Sequence, residues 1–536
     1  MDGSDVFAVG LVFAMVLLVF VSAVFLLSGL DDLFIDLCYF VRTMYRRLFV
    51  DRLRVAVTEE ALLARPQQPI AVMIPAWDES AVIRPMLLNA LRSLNYAEYH
   101  VFVGTYPNDT DTHREVDAVC ALEARVHRVV TPHDGPTNKA DCLNWILQGI
   151  KRVEREQGIQ FQIFVMQDCE DVIHPLCYRV FNLLIPRKDM VQLPVLSLVP
   201  KWHQLTAGHY IDEFSQLHYK DMVVRELLNR SIPAAGVGCA FSRRAFETVA
   251  AHNNNQVFSI DSLTEDYDFG FRLKEYGLKQ IFAQVWVQEQ RAASNAFPSA
   301  NLVCVREFFP AKFRAAVRQK SRWVLGITLQ GWENLGWLNG FATRYMLLRD
   351  RKGLLTNLVN VLAYLVVFAV GGLWLLNYIR PDSYRYPALL ERGTWLWYVI
   401  LANGLLLGNR VFMRAYCVYC IYGLQQALLS VPRMVWGNFI NFLATVRAIR
   451  QYARYLRTGK LIAWDKTQHV YPSEEQLGGV ARPRLGEVLL QRRLITAEQL
   501  NDALSRQKQK PTALGEILKD MGLIQDAELS SALGIR

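Results

Sequence analysis

The sequence predicts a membrane protein in which an α/β domain sits between hydrophobic segments and a small all-α domain closes the chain. Three observations carry this expectation. Long uncharged runs occur near the N-terminus and between residues 353 and 446, short apolar stretches alternate with longer amphipathic ones between them, and two similar 24-residue segments end the chain. At 536 residues the chain is too long for one ordinary core. Five parts are expected: an anchor with a juxtamembrane helix (1–54), a cytoplasmic α/β domain with interfacial helices (55–345), transmembrane and interfacial helices (346–460), a linker (461–483) and the C-terminal repeats (484–536).

Val6 to Leu27 is 22 residues without a charge, about 33 Å of helix and enough to cross a bilayer. A cleaved secretory signal would place basic residues before the run and small residues after it. Here Asp2 and Asp5 precede it, and Arg42, Arg46, Arg47, Arg52 and Arg54 follow. Basic flanks stay cytoplasmic, so an uncleaved anchor with its N-terminus outside is predicted. Gly353 to Ile379, entered from Arg349, Asp350, Arg351 and Lys352, predicts a crossing outward, and Gly393 to Asn409 a return to Arg410 and Arg414. Ala415–Pro432 and Met434–Val446, split by Arg433, read as a re-entrant or interfacial pair. With three spans, residues 55–350 and the C-terminus are expected on the cytoplasmic side of a multi-pass membrane protein.

The net charge is +9. Much of the basic excess flanks the apolar runs, including Arg447, Arg450, Arg454 and Arg457, where anionic membrane lipid attracts it. No aromatic-interleaved basic patch stands out, so nucleic acid is not an expected partner. Nine cysteines show no paired framework. Cys417 and Cys420 form a Cys-x-x-Cys inside an apolar run without a second pair or a nearby His, which argues against metal or redox use and for reduced thiols.

From Pro69 the pattern changes. Ile70–Ile74 predicts a buried strand, Ala81–Leu94 a helix, His100–Gly104 a strand, and Gln160–Val165 a strand ending at Met166, Gln167 and Asp168. Such alternation predicts a parallel sheet with helices on both faces, and ligands bound at polar residues just past strand ends. Four clusters could carry chemistry. Ile74-Pro75-Ala76-Trp77-Asp78-Glu79 sets an acidic pair at a strand end, where it could equally cap a helix. Gln167-Asp168-Cys169-Glu170-Asp171 packs three carboxylates into four residues. They repel one another unless a cation or proton offsets them, and hard oxygen ligands suit Mg²⁺ or Mn²⁺ bridging phosphates. Thr264-Glu265-Asp266-Tyr267-Asp268 opens a helix-like stretch, and Asp266 is the candidate base for an attacking hydroxyl. Gln319-Lys320-Ser321-Arg322-Trp323 lies in a basic, aromatic-rich amphipathic stretch. As an interfacial helix it would hold Trp323 and Trp332 at headgroup level; as a site, Arg322 would partner a diphosphate and Trp323 would stack on a sugar.

The order and spacing of these blocks are more specific than any one of them. IPAWDE, NKAD at Asn138–Asp141, QDCED, GVG followed by SRR at Gly236–Arg244, TED and QxxRW together resemble the family 2 glycosyltransferases over roughly residues 66–335. The likeness is strongest to their membrane-embedded processive branch, which includes cellulose and hyaluronan synthases. It implies an A-type glycosyltransferase fold, a nucleotide-diphosphate sugar donor (a UDP-sugar first among them), Mg²⁺ or Mn²⁺, and an inverting single displacement onto a growing polysaccharide. Position by position, it implies Asp168 and Glu170 as metal ligands and Asp266 as general base beside Glu265. It assigns Asp78, Glu79, Asp109, Lys139, Asp168 and Arg322 to the donor, and Gln319, Arg322 and Trp323 to the acceptor. Two departures stand out. The metal motif has Glu170 where the family usually has Asp, and Tyr106-Pro107-Asn108-Asp109 stands where an Asp pair often binds the base. VGTYPNDTDT, PTNKADCLN, DEFSQLH and SLTEDYDFGFRLKEYG further resemble the phage-adsorption inner-membrane subfamily. That likeness implies a C-terminal sensor and a secreted surface polysaccharide, with an outer-membrane export partner or homo-oligomerisation to complete the path outward.

Beyond a Pro- and Gly-containing linker the chain repeats. Arg484–Gln507 and Ala513–Arg536 are 24-residue copies with a period of 29 residues. Each has Leu-Gly-Glu, a short apolar helix, Leu-Ile and an amphipathic helix with capping character near Thr496 or Asp526. Leu485, Leu489, Leu500 and Leu504 would be core in any helical docking domain. The copies also resemble the MshEN-type cyclic di-GMP domain. That resemblance implies ligand contacts at Arg484, Leu485, Gly486, Leu494, Gln507, Leu514, Gly515 and Leu523. Copy one has Arg493 where the family usually has glycine, and copy two has Ala513 for arginine and ends in Arg536. Against the reading as a cyclic di-GMP-activated synthase stand a catalytically inactive membrane scaffold for phage adsorption, whose C-terminal domain docks a protein partner, and a single-transfer enzyme acting on a lipid carrier. The joint presence of Asp168, Glu170, Asp266 and the QxxRW set argues for an active enzyme.

Overall fold

The computed structural model describes residues 3–51, 57–260, 262–287, 298–299, 301–379, 390, 392–459, 470–473, 477, 485–509 and 514–533. Three helices are long and apolar enough to cross a membrane, with candidate spans Val9–Val50, Phe341–Ile379 and Trp395–Tyr422. They pack through Leu18, Val21, Val359, Ala363, Val366 and Leu396. Below that apolar seam the first helix carries Asp31, Asp32 and Asp36. Asp31 pairs with Arg349 and Lys352, Asp32 with Lys352 at 2.7 Å, and Asp36 with Lys220 of the α/β domain. Desolvated carboxylates are tolerated only when paired in this way.

Two expectations are corrected here. The third hydrophobic helix does not end at Asn409 but runs Trp395–Tyr422. Arg414 continues it, because its Nε donates to Gln216 Oε1 at 3.1 Å. The expected pair of segments split by Arg433 is one helix, Leu424–Thr458, entered after Gly423 at φ +84° and continuous through Pro432. Arg433 does not interrupt it, since its guanidinium is buried against Asp212 (2.7 and 3.0 Å) and Gln426 (2.7 Å). This helix exposes Leu424, Leu428, Val431, Val435, Phe439 and Leu443 while burying Ala427, Ser430, Gly437, Ile440 and Ala444, the two-faced pattern of an interfacial helix.

The α/β domain is a seven-stranded sheet ordered β3-β2-β1-β4-β8-β6-β9. The strands are β1 (Ile70–Pro75), β2 (Tyr99–Thr105), β3 (Val126–Val130), β4 (Ile163–Met166), β6 (Met190–Gln192), β8 (Cys239–Ser242) and β9 (Gln280–Phe282). Only β8 runs against its neighbours. β1 and β4 are apolar along their whole length because helices cover both faces, as parallel sheets require. A second sheet, β5-β10-β7, joins β5 (Val172–Ile173), β10 (Val305–Glu307) and β7 (Val195–Ser197). The ends of β1, β2 and β4 open on one side, where the acidic motifs stand.

The C-terminal copies form four helices, Leu485–Gln491, Ala497–Gln509, Leu514–Asp520 and Asp526–Leu533. They share a core of Leu489, Ile495, Ala503, Ile517, Leu518 and Ile524, flanked by Leu485, Leu494, Leu500, Leu514 and Leu523. Leu504, expected in this core, is 37% exposed; Ala503 takes its place. Thr496 and Gln499 exchange side-chain and backbone hydrogen bonds as a capping box. Copy two repeats half of the box at the equivalent positions: Gln525 N–H donates to Glu528 at 2.8 Å, and Asp526, the expected start, is already helical. A Cβ on Gly486 would meet Leu500 at 2.6 Å and one on Gly515 would meet Leu529 at 2.8 Å, so both glycines serve helix packing. Arg484, Ala513 and Arg536 lie outside the described residues.

Candidate active site

Each motif reaches the site from an element that the sequence makes locally stable. The Lys139–Gln157 helix begins after Asn138, whose side chain accepts from Asp141 N–H at 2.8 Å. Its first residue, Lys139, puts a positive charge at the positive end of a helix, an unfavourable place unless a carboxylate answers it. Asp168, just past β4, does so at 2.6 Å. The Glu265–Glu275 helix starts on the Thr-Glu-Asp block, and Asp266 Oδ1 accepts from Tyr267 N–H at 2.8 Å. Gly236 closes the group. Its carbonyl accepts from Lys139 Nζ at 3.4 Å, and a Cβ there would stand 2.6 Å from Asp266 Oδ2 and 3.1 Å from Lys139 Nζ.

These side chains face a cavity of about 400 Å³ that also takes in Glu79, Glu170, Glu265, Glu307, Gln319, Arg322 and Trp323. Most of the expected site residues are therefore brought together. Asp78 and Asp109 are not among the lining residues. Asp109 accepts from Asp78 N–H at 2.6 Å and from Thr112 N–H at 3.3 Å, which stabilises a left-handed Asp78 (φ +53°) and caps a helix. Gln319 is buried, and its amide oxygen has no hydrogen-bond partner among the described residues. Trp323 is not a headgroup-level side chain: it packs edge-on to Tyr210 and Phe309, with Phe214 beside it. Trp332 is 45% exposed and stacks with Arg351.

Charge is crowded here. Burial raises the Asp266 carboxyl above its ordinary range, opposed by the Lys139 ammonium. Burial, then the Asp266 charge, raises Glu265. Lys139 is held firmly protonated: burial opposes its charge, but Asp168, Glu265 and Asp266 outweigh it. Two neighbouring carboxylates with different surroundings can divide the roles of proton holder and base.

The structure adds residues that the motifs did not announce. Glu307 enters from β10, and Arg225 and Asp350 line the far wall as a bidentate pair at 2.6 and 2.7 Å, with Tyr267 Oη donating to Asp350 at 2.6 Å. Glu213 pairs with Lys320, which also donates to Asn441 at 2.8 Å. The signal for Glu307 was a lone acid ending a strand, and that for Asp350 a charge before a span. Neither is specific.

Among the described residues, no three His, Cys, Asp or Glu side chains converge as a ready-made metal cage. Asp168 and Glu170 still fit a divalent cation, because both line the cavity as oxygen donors and Mg²⁺ commonly takes one or two carboxylates plus substrate phosphates. All nine cysteines are free thiols, Cys417 and Cys420 included.

The α/β sheet with acidic motifs at its strand ends, together with a match of residues 163–406 to the glycosyl transferase family group 2, defines the protein as a glycosyltransferase. The chain belongs to the family of bacteriophage adsorption protein B: it is 43% identical to that protein of Escherichia coli strain K12 over 535 residues, covering 99% of this chain and 71% of the relative. Bacteriophage N4 adsorption protein B of Escherichia coli O157:H7 matches to the same extent. Among solved structures, the mannosyltransferase PcManGT of Pyrobaculum calidifontis, in complex with GDP-mannose and Mn²⁺, aligns with a TM-score of 0.44 and 13% identity over 78% of this chain and 99% of its own. TarS 1–349 of S. aureus aligns with a TM-score of 0.31 and 10% identity over 76% of this chain and 100% of its own.

Proposed function

We propose that the protein is an inverting, processive inner-membrane transferase that takes a nucleotide-diphosphate sugar, a UDP-sugar first among candidates, and lengthens a polysaccharide bound for the cell surface. The supporting observation is the convergence of Lys139, Asp168, Asp266, Gln319 and Arg322 on one cavity. Asp266 accepts the proton of the attacking hydroxyl. Lys139 and Arg322 face the charge that develops on the leaving diphosphate. Gln319 offers its amide oxygen to an acceptor hydroxyl, and Trp323 is braced by its aromatic neighbours as a flat wall for a sugar ring. A divalent cation at Asp168 and Glu170 supplies Lewis-acid neutralisation of the diphosphate when bound.

The spans leave the α/β domain and the repeats on the cytoplasmic side, and the repeats act as an MshEN-type domain whose cyclic di-GMP occupancy raises transfer. Gln507, Leu494 and Leu523 stand on the described helices and turns for that role. A surface polysaccharide made here would account for the adsorption function in the relatives' names.

The test is incorporation from a panel of radiolabelled nucleotide sugars by the full chain in nanodiscs with Mn²⁺, with and without cyclic di-GMP. Incorporation that rises with the dinucleotide and is lost in Asp266→Asn is the expected result. No incorporation from any donor would overturn the enzymatic reading, and incorporation indifferent to the dinucleotide would overturn the regulatory one.

A further inference from the structure

The small sheet places a carboxylate where no motif predicted one. In the antiparallel pairing of β10 with β5, Val305 stands opposite Ile173 and Arg306 opposite Val172, and Glu307 and Asp171 are the next residues beyond that last pair. Alternation along β10 sends Arg306 to the other face, where it donates to Ser299 at 3.1 Å. Val305 faces the glycine loop, since a Cβ on Gly238 would meet Val305 Cγ2 at 3.1 Å. Glu307 shares that face and lines the cavity beside Asp168 and Glu170.

Like charges placed opposite one another on a sheet are destabilising. Around this cavity the imbalance is large: Glu79, Asp168, Glu170, Glu213, Glu265, Asp266, Glu307 and Asp350 line it, against Lys139, Arg225 and Arg322. Arg225 is already paired with Asp350, and Lys139 with Asp168. Just behind this wall a further carboxylate is left incompletely matched. Asp171 is 1% exposed, its Oδ2 accepts from Asp168 N–H at 2.9 Å, and its Oδ1 has no partner among the described residues. A buried carboxylate oxygen left unmatched is costly unless positive charge stands nearby.

We propose that Glu307 is the third carboxylate of the cation site, joining Asp168 and Glu170 from the small sheet when nucleotide diphosphate and Mg²⁺ or Mn²⁺ enter. The inference rests on the transferase reading. It explains why the motif tolerates Glu170 in its second position. Two glutamates, one in the turn after β4 and one on β10, can close on an ion that one short acidic loop would otherwise hold alone, and their flexible arms explain why no cage stands ready beforehand. The set remains all oxygen, which suits these hard ions.

The test is Mn²⁺ uptake by the full chain in nanodiscs, followed by electron paramagnetic resonance of the free ion, with the metal alone and with UDP or GDP. Glu307→Gln should weaken uptake about tenfold or more, Glu307→Asp should recover part of it, and the melting temperature should hold or rise as a like charge is removed. Asp168→Asn is the reference that loses binding. Wild-type uptake in Glu307→Gln, with loss in Asp168→Asn, would overturn the role of Glu307 and leave the transferase reading standing. Absence of uptake in the wild type, with or without either nucleotide, would overturn both the role of Glu307 and the metal-dependent part of that reading.

Discussion

A Cβ at Gly236 would intrude between Asp266 and Lys139, and the residue's φ of +74° lies where only glycine is at ease. Gly236→Ala should therefore lower transfer by about a hundredfold or more, because displacement of the base and its ammonium neighbour by even 1 Å carries that order of cost. The strain on the fold is only about 1–2 kcal/mol, so a loss of kcat/KM with a nearly unchanged melting temperature is expected. Equal losses of activity and folding would remove the catalytic interpretation. Arg493 presents the opposite case. It adopts φ +57° in copy one at the position equivalent to Gly522, φ +70°, in copy two. Arg493→Gly should stabilise the repeat domain by about 1 kcal/mol, read as a rise in its denaturation midpoint. Residues of this kind were legible where chemistry is local: Asp168, Glu265 and Asp266 sit in short motifs at strand ends and helix starts. Glu307, Arg225 and Asp350 were not, because each gains its meaning only from a partner far along the chain.

Arg433 shows the same limit at the level of an element. Within a sequence window, one charge between two apolar runs marks a boundary, and a broken pair of segments follows. In the fold that charge meets Asp212, 221 residues away, together with Gln426, so the 35-residue helix Leu424–Thr458 passes through it unbroken. The pair also explains how the helix is held to the α/β domain, with Lys320 bonded to Asn441 and Ser321 to Gln451 further along. Those two contacts fix the QxxRW helix from behind while Gln319, Arg322 and Trp323 face the cavity. Asp212→Asn leaves a buried guanidinium with half its partner, and removal of one member of such a pair costs about 3–5 kcal/mol. A clear drop in melting temperature is expected in detergent, with Arg433→Met milder because the Asp212 carboxyl left behind, already raised to about 7 by burial, can take up a proton, whereas a guanidinium cannot shed one. A smaller effect for Asp212→Asn than for Arg433→Met would show that the pair is not what anchors the helix. The strands and the strongly periodic helices needed no such partner, which is why β1, β2 and the helix between them were legible to within a residue or two.

Across the whole molecule, the segment between the long helix and the repeats touches the catalytic domain at a sensitive place. Leu477 is buried against Val172 and Leu198, with Tyr471 and Phe308 alongside. Val172 directly follows Asp171, and Phe308 directly follows Glu307, so both contacts lie one residue from the carboxylates of the site. The sequence assigned this stretch to a linker because its composition is polar and rich in turn formers, a correct account of the local pattern that misses one leucine seated on a sheet. Leu477→Asp would place a charge in that seat, at a cost of several kcal/mol if the contact were kept, so the segment should detach instead. The small sheet then loses apolar cover on the side opposite the cavity, and donor affinity should fall several-fold while the C-terminal helices, which have their own core, keep their melting transition. Titration of the full-length variant with UDP and GDP, beside calorimetry that resolves the repeat domain, measures both. Unchanged nucleotide affinity would mean that the contact only tethers the chain. A fall in affinity with the repeats intact would mean that packing between Leu477 and the small sheet reaches the carboxylates through Val172 and Phe308.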